Sequence, residues 1–280
     1  MNKTIMVMLL LASISAALPL ADVATLEKNF SYAYAGATVI SLTFDGTNYW
    51  MIDGGYTPST VTKFDSLGNQ IEQGSINLDG RSIAYNPNDG KLYIKDYQTN
   101  SLYTLGALAA GAYGYAPVAG FSNAFQDKQS KITLSSDGQY VYDALNGKVR
   151  KYQLSTGANV ENITLAGYSG GFPEEFQIAT DGTYLFALKN NTILAYNLDG
   201  SFVKEITGLP NPANLFYIQW SYSHADNKIW VWEYAAQQWM GYGIYLPEEP
   251  VDAPMFPTAA MPLGIMAATL AGAYGMARKN

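Results

Sequence analysis

"KITLSSDGQYVYDALNGKVRKYQLSTGANVENITLAG", residues 131–167, holds four short apolar runs separated by Asp137-Gly138, Asn146-Gly147 and Thr156-Gly157. Asp-Gly between alternating strands is a strong hairpin signal and predicts a type I′ turn, with both central residues at positive φ. The stretch therefore reads as one four-stranded antiparallel unit. Its first half recurs along the chain, as "ISLTFDGTNYWMID", "SIAYNPNDGKLYIKD", "FQIATDGTYLFALK" and "IQWSYSHADNKIWVWE". The turn residues Asp45, Asp89, Asp137, Asp181 and Asp226 are spaced 44, 48, 44 and 45 apart. That period belongs to four-stranded propeller blades.

Five such repeats fill residues 26–246, which predicts an all-β, five-bladed β-propeller, with six blades as the alternative. The fifth repeat ends one strand short, after "QQWMGYGIYLP", whereas "LEKNFSYAYAG" at 26–36 aligns with the fourth-strand segments "VENITLAG" and "FVKEITGL". The first strand is thus expected to complete the last blade and remove the exposed edges. The wording of the repeats resembles the YVTN-type propellers of microbial surface-layer proteins. That resemblance implies a fold and a cell-surface setting more than an activity.

The two ends of the chain read differently from its middle. Residues 1–21 carry Lys3, an apolar stretch and small residues, the layout of a secretory signal, with cleavage expected after Ala17 or, second, after Ala21. Residues 247–257, "PEEPVDAPMFP", form a Pro-rich extended spacer. Residues 258–280 then read as a sorting or anchor helix. Nothing is charged from Ala259 to Ala277, and a helix of that length covers roughly 28 Å, about one hydrocarbon thickness. Arg278 and Lys279 follow it and would stay cytoplasmic, leaving the propeller outside. Pro254, Phe256, Pro257 and Thr258, the apolar helix and the basic pair resemble the PEF-CTERM tails of archaeal surface proteins, with Met255 where that pattern has Glu. The resemblance implies membrane targeting and processing by an archaeosortase-like enzyme.

Composition narrows the function. Sixteen basic against 23 acidic residues give a net charge of −7, which disfavours nucleic acid as a partner. The absence of Cys excludes disulfides, thiol catalysis and Cys-ligated metal. No cofactor or metal is expected: His224 has no second His to share a metal with, and the turn Asp residues lack calcium-loop spacing and are expected to serve the backbone. "GYSGG" at 167–171 fits the Gly-x-Ser-x-Gly pattern around Ser169, but it lies between β-repeats rather than on a strand-to-helix elbow. Trp220, Trp230, Trp232 and Trp239 could form a sugar platform; core packing of the closing blade is the preferred reading.

A glycosidase needs paired carboxylates on the innermost strands, and "VISLTF", "SIAYN", "KITLSS", "FQIAT" and "YIQWSY" contain none. Counting back from the turns, Thr38, Arg81, Lys131, Glu175 and Tyr217 should ring one mouth of the channel, where a ligand is expected. Asn29, Asn162 and Asn190 lie in glycosylation sequons. The sequence thus favours an exported, surface-anchored module that binds a surface protein or glycan, or builds the envelope, without being an enzyme. An extracellular hydrolase or lyase using the channel, and a lattice or filament subunit, are the alternatives.

Overall fold

A computed structural model describes residues 19–33, 39–172, 174–210 and 220–246. The fold is all-β and propeller-like. Antiparallel four-strand runs follow one another along the chain: β2 (Val39–Phe44), β3 (Tyr49–Asp53), β4 (Ser59–Phe64) and β5 (Gln70–Ile76), then β6 (Gly80–Asn86), β7 (Lys91–Asp96), β8 (Ser101–Ala109) and β9 (Ala112–Pro117). The quoted stretch supplies β10 (Ile132–Leu134), β11 (Tyr140–Leu145), β12 (Lys148–Gln153) and β13 (Asn159–Thr164). Next come β14 (Ala179–Thr180), β15 (Tyr184–Lys189), β16 (Thr192–Asn197) and β17 (Phe202–Ile206). The last sheet takes β18 (Trp220–Ser223), β19 (Lys228–Glu233) and β20 (Gln238–Tyr245) from the end of the fold and β1 (Leu20–Ser31) from its start. β2 lies beside β6 and β18, and β10 lies beside β6 and β14. The first strands of the repeats therefore line a common channel.

The closing pairing is the expected one. β1 runs antiparallel to β20, from Leu20 opposite Tyr245 to Ser31 opposite Gln238. β1 starts at Leu20, and both Leu20 and Ala21 are buried, so the closing strand extends six residues before the start read from the repeat. Phe30 holds the closure: its ring lies 5.2 Å from those of Tyr49 and Phe64 and 5.5 Å from that of Trp230. Apolar residues on both faces of the second strands, as in "KIWVWE", form the cores between neighbouring sheets, because packing on both sides removes the polar face an open sheet would keep. Trp220, Trp230, Trp232 and Trp239 are all buried, as the core-packing reading requires.

The inner hairpins differ from expectation in their turns. The loops after β2, β6, β10, β14 and β18 contain three to five residues rather than two. Within them only Gly46, Gly90, Gly138, Gly182 and Asn227 have positive φ. Type I′ geometry occurs instead at Ala110-Gly111 and Asn146-Gly147, the two-residue loops β8–β9 and β11–β12, where both φ values are positive. The Asp side chain explains the longer loops. Asp45 Oδ1 accepts from Thr47 N at 2.8 Å and Asn48 N at 2.7 Å, and Asp181 Oδ1 does the same for Thr183 N and Tyr184 N, so these two turns are built on their own carboxylates.

The outer edges are stitched to one another. Ser75 N donates to Gly111 O at 3.0 Å, which joins β5 to β9, and Ala24 N donates to Thr207 O at 2.8 Å, which joins β1 to the end of β17. Ala166 N reaches Gly200 O at 2.9 Å, Lys28 Nζ reaches Ser66 O at 2.6 Å, and Gly120 packs on the backbone of Thr156 and Gly157. Among the described residues no helix is long and apolar enough to cross a membrane. The anchor and sorting segment, with Pro254, Phe256, Pro257, Thr258, Arg278 and Lys279, and nearly all of the signal segment lie outside the described residues.

Candidate functional site

The channel has two ends, set by strand direction. Inner strands begin at one end, the mouth, and finish at the Asp turns of the other, the hairpin end. Arg81, the second residue of β6, and Lys131, just before β10, stand at the mouth, each 5% exposed. Arg81 Nη2 donates to Asp79 Oδ2 at 3.0 Å, and its guanidinium carbon lies 4.4 Å from the centre of the Tyr97 ring. Asp79 is itself fixed: it accepts from Gly55 N at 2.9 Å, and its own N–H donates to Asp96 Oδ1 at 2.8 Å. A planar cation locked in this way has little orientational freedom left to lose.

Lys131 crosses the channel. Its Nζ donates to Ile40 O at 2.6 Å on β2 and to Trp220 O at 3.3 Å on β18. Burial drives its pKa well below the usual lysine range, and the nearby Arg81 charge acts in the same direction. Lys131 separates two chambers. The one at the mouth, a cavity of about 10 Å³ with room for about one water, is walled by Ile40, Phe172 and Phe176 and bears Arg81, Lys131, Gln129 and Gln177. Gln177 is 5% exposed, and its Oε1 is buried with no hydrogen-bond partner among the described residues.

The chamber on the hairpin side, a cavity of about 10 Å³, is lined by Thr43, Ser221, Tyr222 and Trp220 and ends at His224. His224 Nε2 sits 2.8 Å from Leu134 O, and its ring meets that of Tyr222 edge-on, with centroids 5.2 Å apart. Burial pushes its pKa below the ordinary histidine value, against the smaller opposing effect of the Leu134 carbonyl. His224, in the turn after β18, therefore leans neutral and bridges the channel.

Among the other sequence-predicted residues, Glu175 belongs to the short 3-10 turn Glu174–Phe176, and its neighbours Phe176 and Gln177, not Glu175, line the chamber. Thr38 and Tyr217 lie outside the described residues. Asn29 on β1, Asn162 on β13 and Asn190 in the β15–β16 loop are exposed. Ser169 sits in an exposed loop, where its Oγ accepts from Lys189 Nζ at 2.9 Å; no strand-to-helix elbow surrounds it. Among the described residues no cluster of three or more His, Cys, Asp or Glu could hold a metal.

Sequence reasoning missed a layer of buried charge one strand out from the channel. Lys95, Asp96 and Asp143 are at most 1% exposed. Lys95 Nζ donates to Asp127 O at 2.9 Å and Lys128 O at 2.8 Å, and Asp143 Oδ2 accepts from Gln126 N at 2.7 Å and Ser130 Oγ at 3.2 Å. Together they fix the connection that carries Gln129 and Lys131 into the mouth. Burial lowers the Lys95 pKa to about 7, partly offset by Asp143, Asp127 and Asp96. Burial likewise raises that of Asp143. The signal was present in "LYIKD" and "YVYD", where charge interrupts strands otherwise buried on both faces.

No family model and no curated protein matches the chain. Among solved structures, the glutaminyl cyclase of Myxococcus xanthus has a TM-score of 0.61 at 11% identity, covering 82% of this chain and all of that one. A structural-genomics protein of unknown function from Bacteroides thetaiotaomicron has a TM-score of 0.49 at 11% identity, covering 78% of this chain and 72% of its own. At this identity the cyclase supports a propeller-like fold, and shape alone does not select an activity.

Proposed function

We propose that the protein is an exported, five-bladed propeller that works as a binding module, with its ligand at the channel mouth. The side-by-side order β2, β6, β10, β14, β18 and completion of the last sheet by β1 support that blade count. The observation that carries the binding reading is the mouth chamber, in which Arg81, Lys131, Gln129 and Gln177 converge between apolar walls. A few convergent polar groups in an apolar concavity are the usual make-up of a small-ligand site. Arg81, its planar guanidinium held by Asp79 and Tyr97, suits an anionic group. The inner strands carry no carboxylate among the described residues, so the channel lacks the acid pair that glycoside hydrolysis requires.

The chain ends suit surface display. Leu20 and Tyr245 face each other at the hairpin end, opposite the mouth, where the Tyr245 hydroxyl donates to Asp181 Oδ2. Removal of the leader after Ala17 keeps β1 whole, whereas removal after Ala21 discards the buried Leu20 and Ala21. Kinship to YVTN-type surface-layer propellers, membrane attachment through residues 258–280, handling by an archaeosortase-like enzyme, and glycans on Asn29, Asn162 and Asn190 belong to this reading. Intact mass spectrometry of protein from the native membrane fraction tests it: a mature N-terminus at Leu18 and mass added at the sequons are expected. Recovery of the full-length, unmodified chain in the cytosol would reject it.

One observation favours an enzymatic reading. Burial biases Lys131, set at the chamber wall, toward the free amine, the form in which a lysine acts as a base or nucleophile. Turnover of extracellular esters, lactones or glycans by the purified chain, lost in Lys131→Met, would establish it. Ligand binding without turnover favours the module. For a lattice subunit, the stitched outer edges are unfavourable, because they occupy the strand edges that lateral pairing needs.

A further inference from the structure

A cleft of about 370 Å³ opens at the hairpin end, between the second and third sheets, and is far larger than either channel chamber. Its origin lies in a departure from the repeat. Tyr49 on β3 donates its hydroxyl across a sheet junction to Asp226, and Tyr245 on β20 reaches Asp181 of the fourth sheet in the same way. Tyr93 on β7 instead donates to Asp89 of its own turn at 2.6 Å. Among the described residues no Tyr–Asp tie spans this junction, and the gap stays open. Asn86 Nδ2 donates to Gly138 O at 3.1 Å and joins the two walls at the floor, where a Cβ on Gly138 would lie 1.8 Å from Asn86 Oδ1. Leu154 N donates to Gln139 O at 2.8 Å and fixes the third-sheet wall. The walls are therefore set before any ligand arrives, which lowers the ordering cost of binding.

The lining selects the class of ligand. The side-chain amides of Asn88, Gln139 and Gln153 and the Ser155 hydroxyl border the cleft, and none has a hydrogen-bond partner among the described residues. Each of these groups both donates and accepts, as a sugar hydroxyl does. Leu154, buried beside them, offers an apolar patch to the C–H face of a ring. Charge argues against other classes. No Lys or Arg borders the cleft, so an anion finds no counter-charge there, and its one carboxylate, Asp89, already accepts from the Tyr93 hydroxyl and from Lys91 N at 3.1 Å. We propose that this cleft is a second binding site, independent of the mouth, for a neutral saccharide of one or two rings. The amides and Ser155 exchange hydrogen bonds with ring hydroxyls while a ring face rests on Leu154. At about 370 Å³ the cleft falls within the range of small-ligand sites.

Ligand-observed NMR titration of the full chain tests the proposal with maltose, cellobiose, lactose, mannobiose and diacetylchitobiose as neutral probes and digalacturonate as the acidic counterpart. At least one neutral disaccharide is expected to bind with Kd of about 1 mM or tighter, and digalacturonate at least about tenfold more weakly. Ser155→Trp, at an exposed position, places a bulky ring in the cleft and should abolish binding. Thr183→Trp, the same insertion on the exposed turn of the fourth sheet, should leave it unchanged. Both variants should melt with the parent chain. Should Ser155→Trp fail to fold, the double change Gln139→Ala and Gln153→Ala removes only partnerless amides and should weaken binding about tenfold. Failure of every neutral disaccharide to bind overturns the inference, as does binding that survives the cleft variants or a preference for digalacturonate. Binding at the mouth stands or falls separately, because none of these substitutions alters Arg81, Gln129, Lys131 or Gln177.

Discussion

The two ends of the channel are built from the same strands and do opposite things with polar groups. At the hairpin end the turn carboxylates are largely consumed by structure. Asp45 takes Trp50 Nε1 at 2.7 Å, Asp89 takes the Tyr93 hydroxyl at 2.6 Å, and Asp226 takes Tyr49 Oη at 3.2 Å and Trp230 Nε1 at 3.1 Å. At the mouth, Gln177 Oε1 has no hydrogen-bond partner among the described residues, and Arg81 and Lys131 line a chamber. One repeat thus supplies a mechanical end, where polarity closes turns and ties blades together, and a chemical end, where loops of different length bring unlike residues together. The lesson is that regularity marks the scaffold and departure from the repeat marks the site.

Substitutions that exchange the demands of the two ends should break this contrast, and they are ordered here by expected effect. Gly138→Ala is the most severe at the hairpin end, since φ is +67° and a Cβ would overlap Asn86 Oδ1. A loss of roughly 2 to 4 kcal/mol is expected in urea unfolding. Asp226→Ala should cost roughly 1 to 3 kcal/mol by leaving the Tyr49 hydroxyl and Trp230 indole without their acceptor. A melt indistinguishable from the parent chain in either variant would mean that the hairpin end is not the mechanical one.

Lys95 sharpens the comparison through pH. Its folded pKa of about 7 lies below the ordinary value of 10.5, so the unfolded chain binds the extra proton between those limits. Stability should therefore rise with pH across that window, by at most about 1.4 kcal/mol per pH unit, and this contribution is lost as pH falls through 7. Denaturant midpoints from pH 7 to 10 in the parent chain and in Lys95→Met check it, and the slope should flatten in the variant. The smallest stability effect belongs to the rim. Phe172→Ala should change unfolding by no more than about 0.5 kcal/mol while weakening ligand titration at the mouth. A large loss of stability there would make Phe172 part of the scaffold.

The sequence displayed the scaffold well because each repeat writes its structure locally. Strand order, the buried Trp residues and closure by the first strand could all be read from period and wording, since blades of equal length must stack alike. The turns were misread in detail because Asp-Gly chemistry suits both a two-residue loop and a longer loop capped by the Asp side chain, and only the pairing register separates them. The mouth was legible in part. Arg81 and Lys131 follow from counting back along regular strands, whereas Gln177 and Phe172 sit on an irregular connection whose path no period predicts. Lys95 and Asp143 were visible as charges in apolar strands, but their partners lie on the 126–130 segment, distant in sequence from Lys95.

The amino-acid sequence by itself determined the all-β repeat, its antiparallel strands and the strand that closes them, because hydrophobic alternation and turn residues act over a few positions. Tertiary structure alone decided which side chains share the channel, how Lys131 divides it, and that Leu20 and Tyr245 of the closing pair lie at the end opposite the mouth. Those outcomes depend on where distant segments meet once the sheets have packed, and burial then lowers the pKa of Lys131 and leaves Gln177 Oε1 without a partner among the described residues.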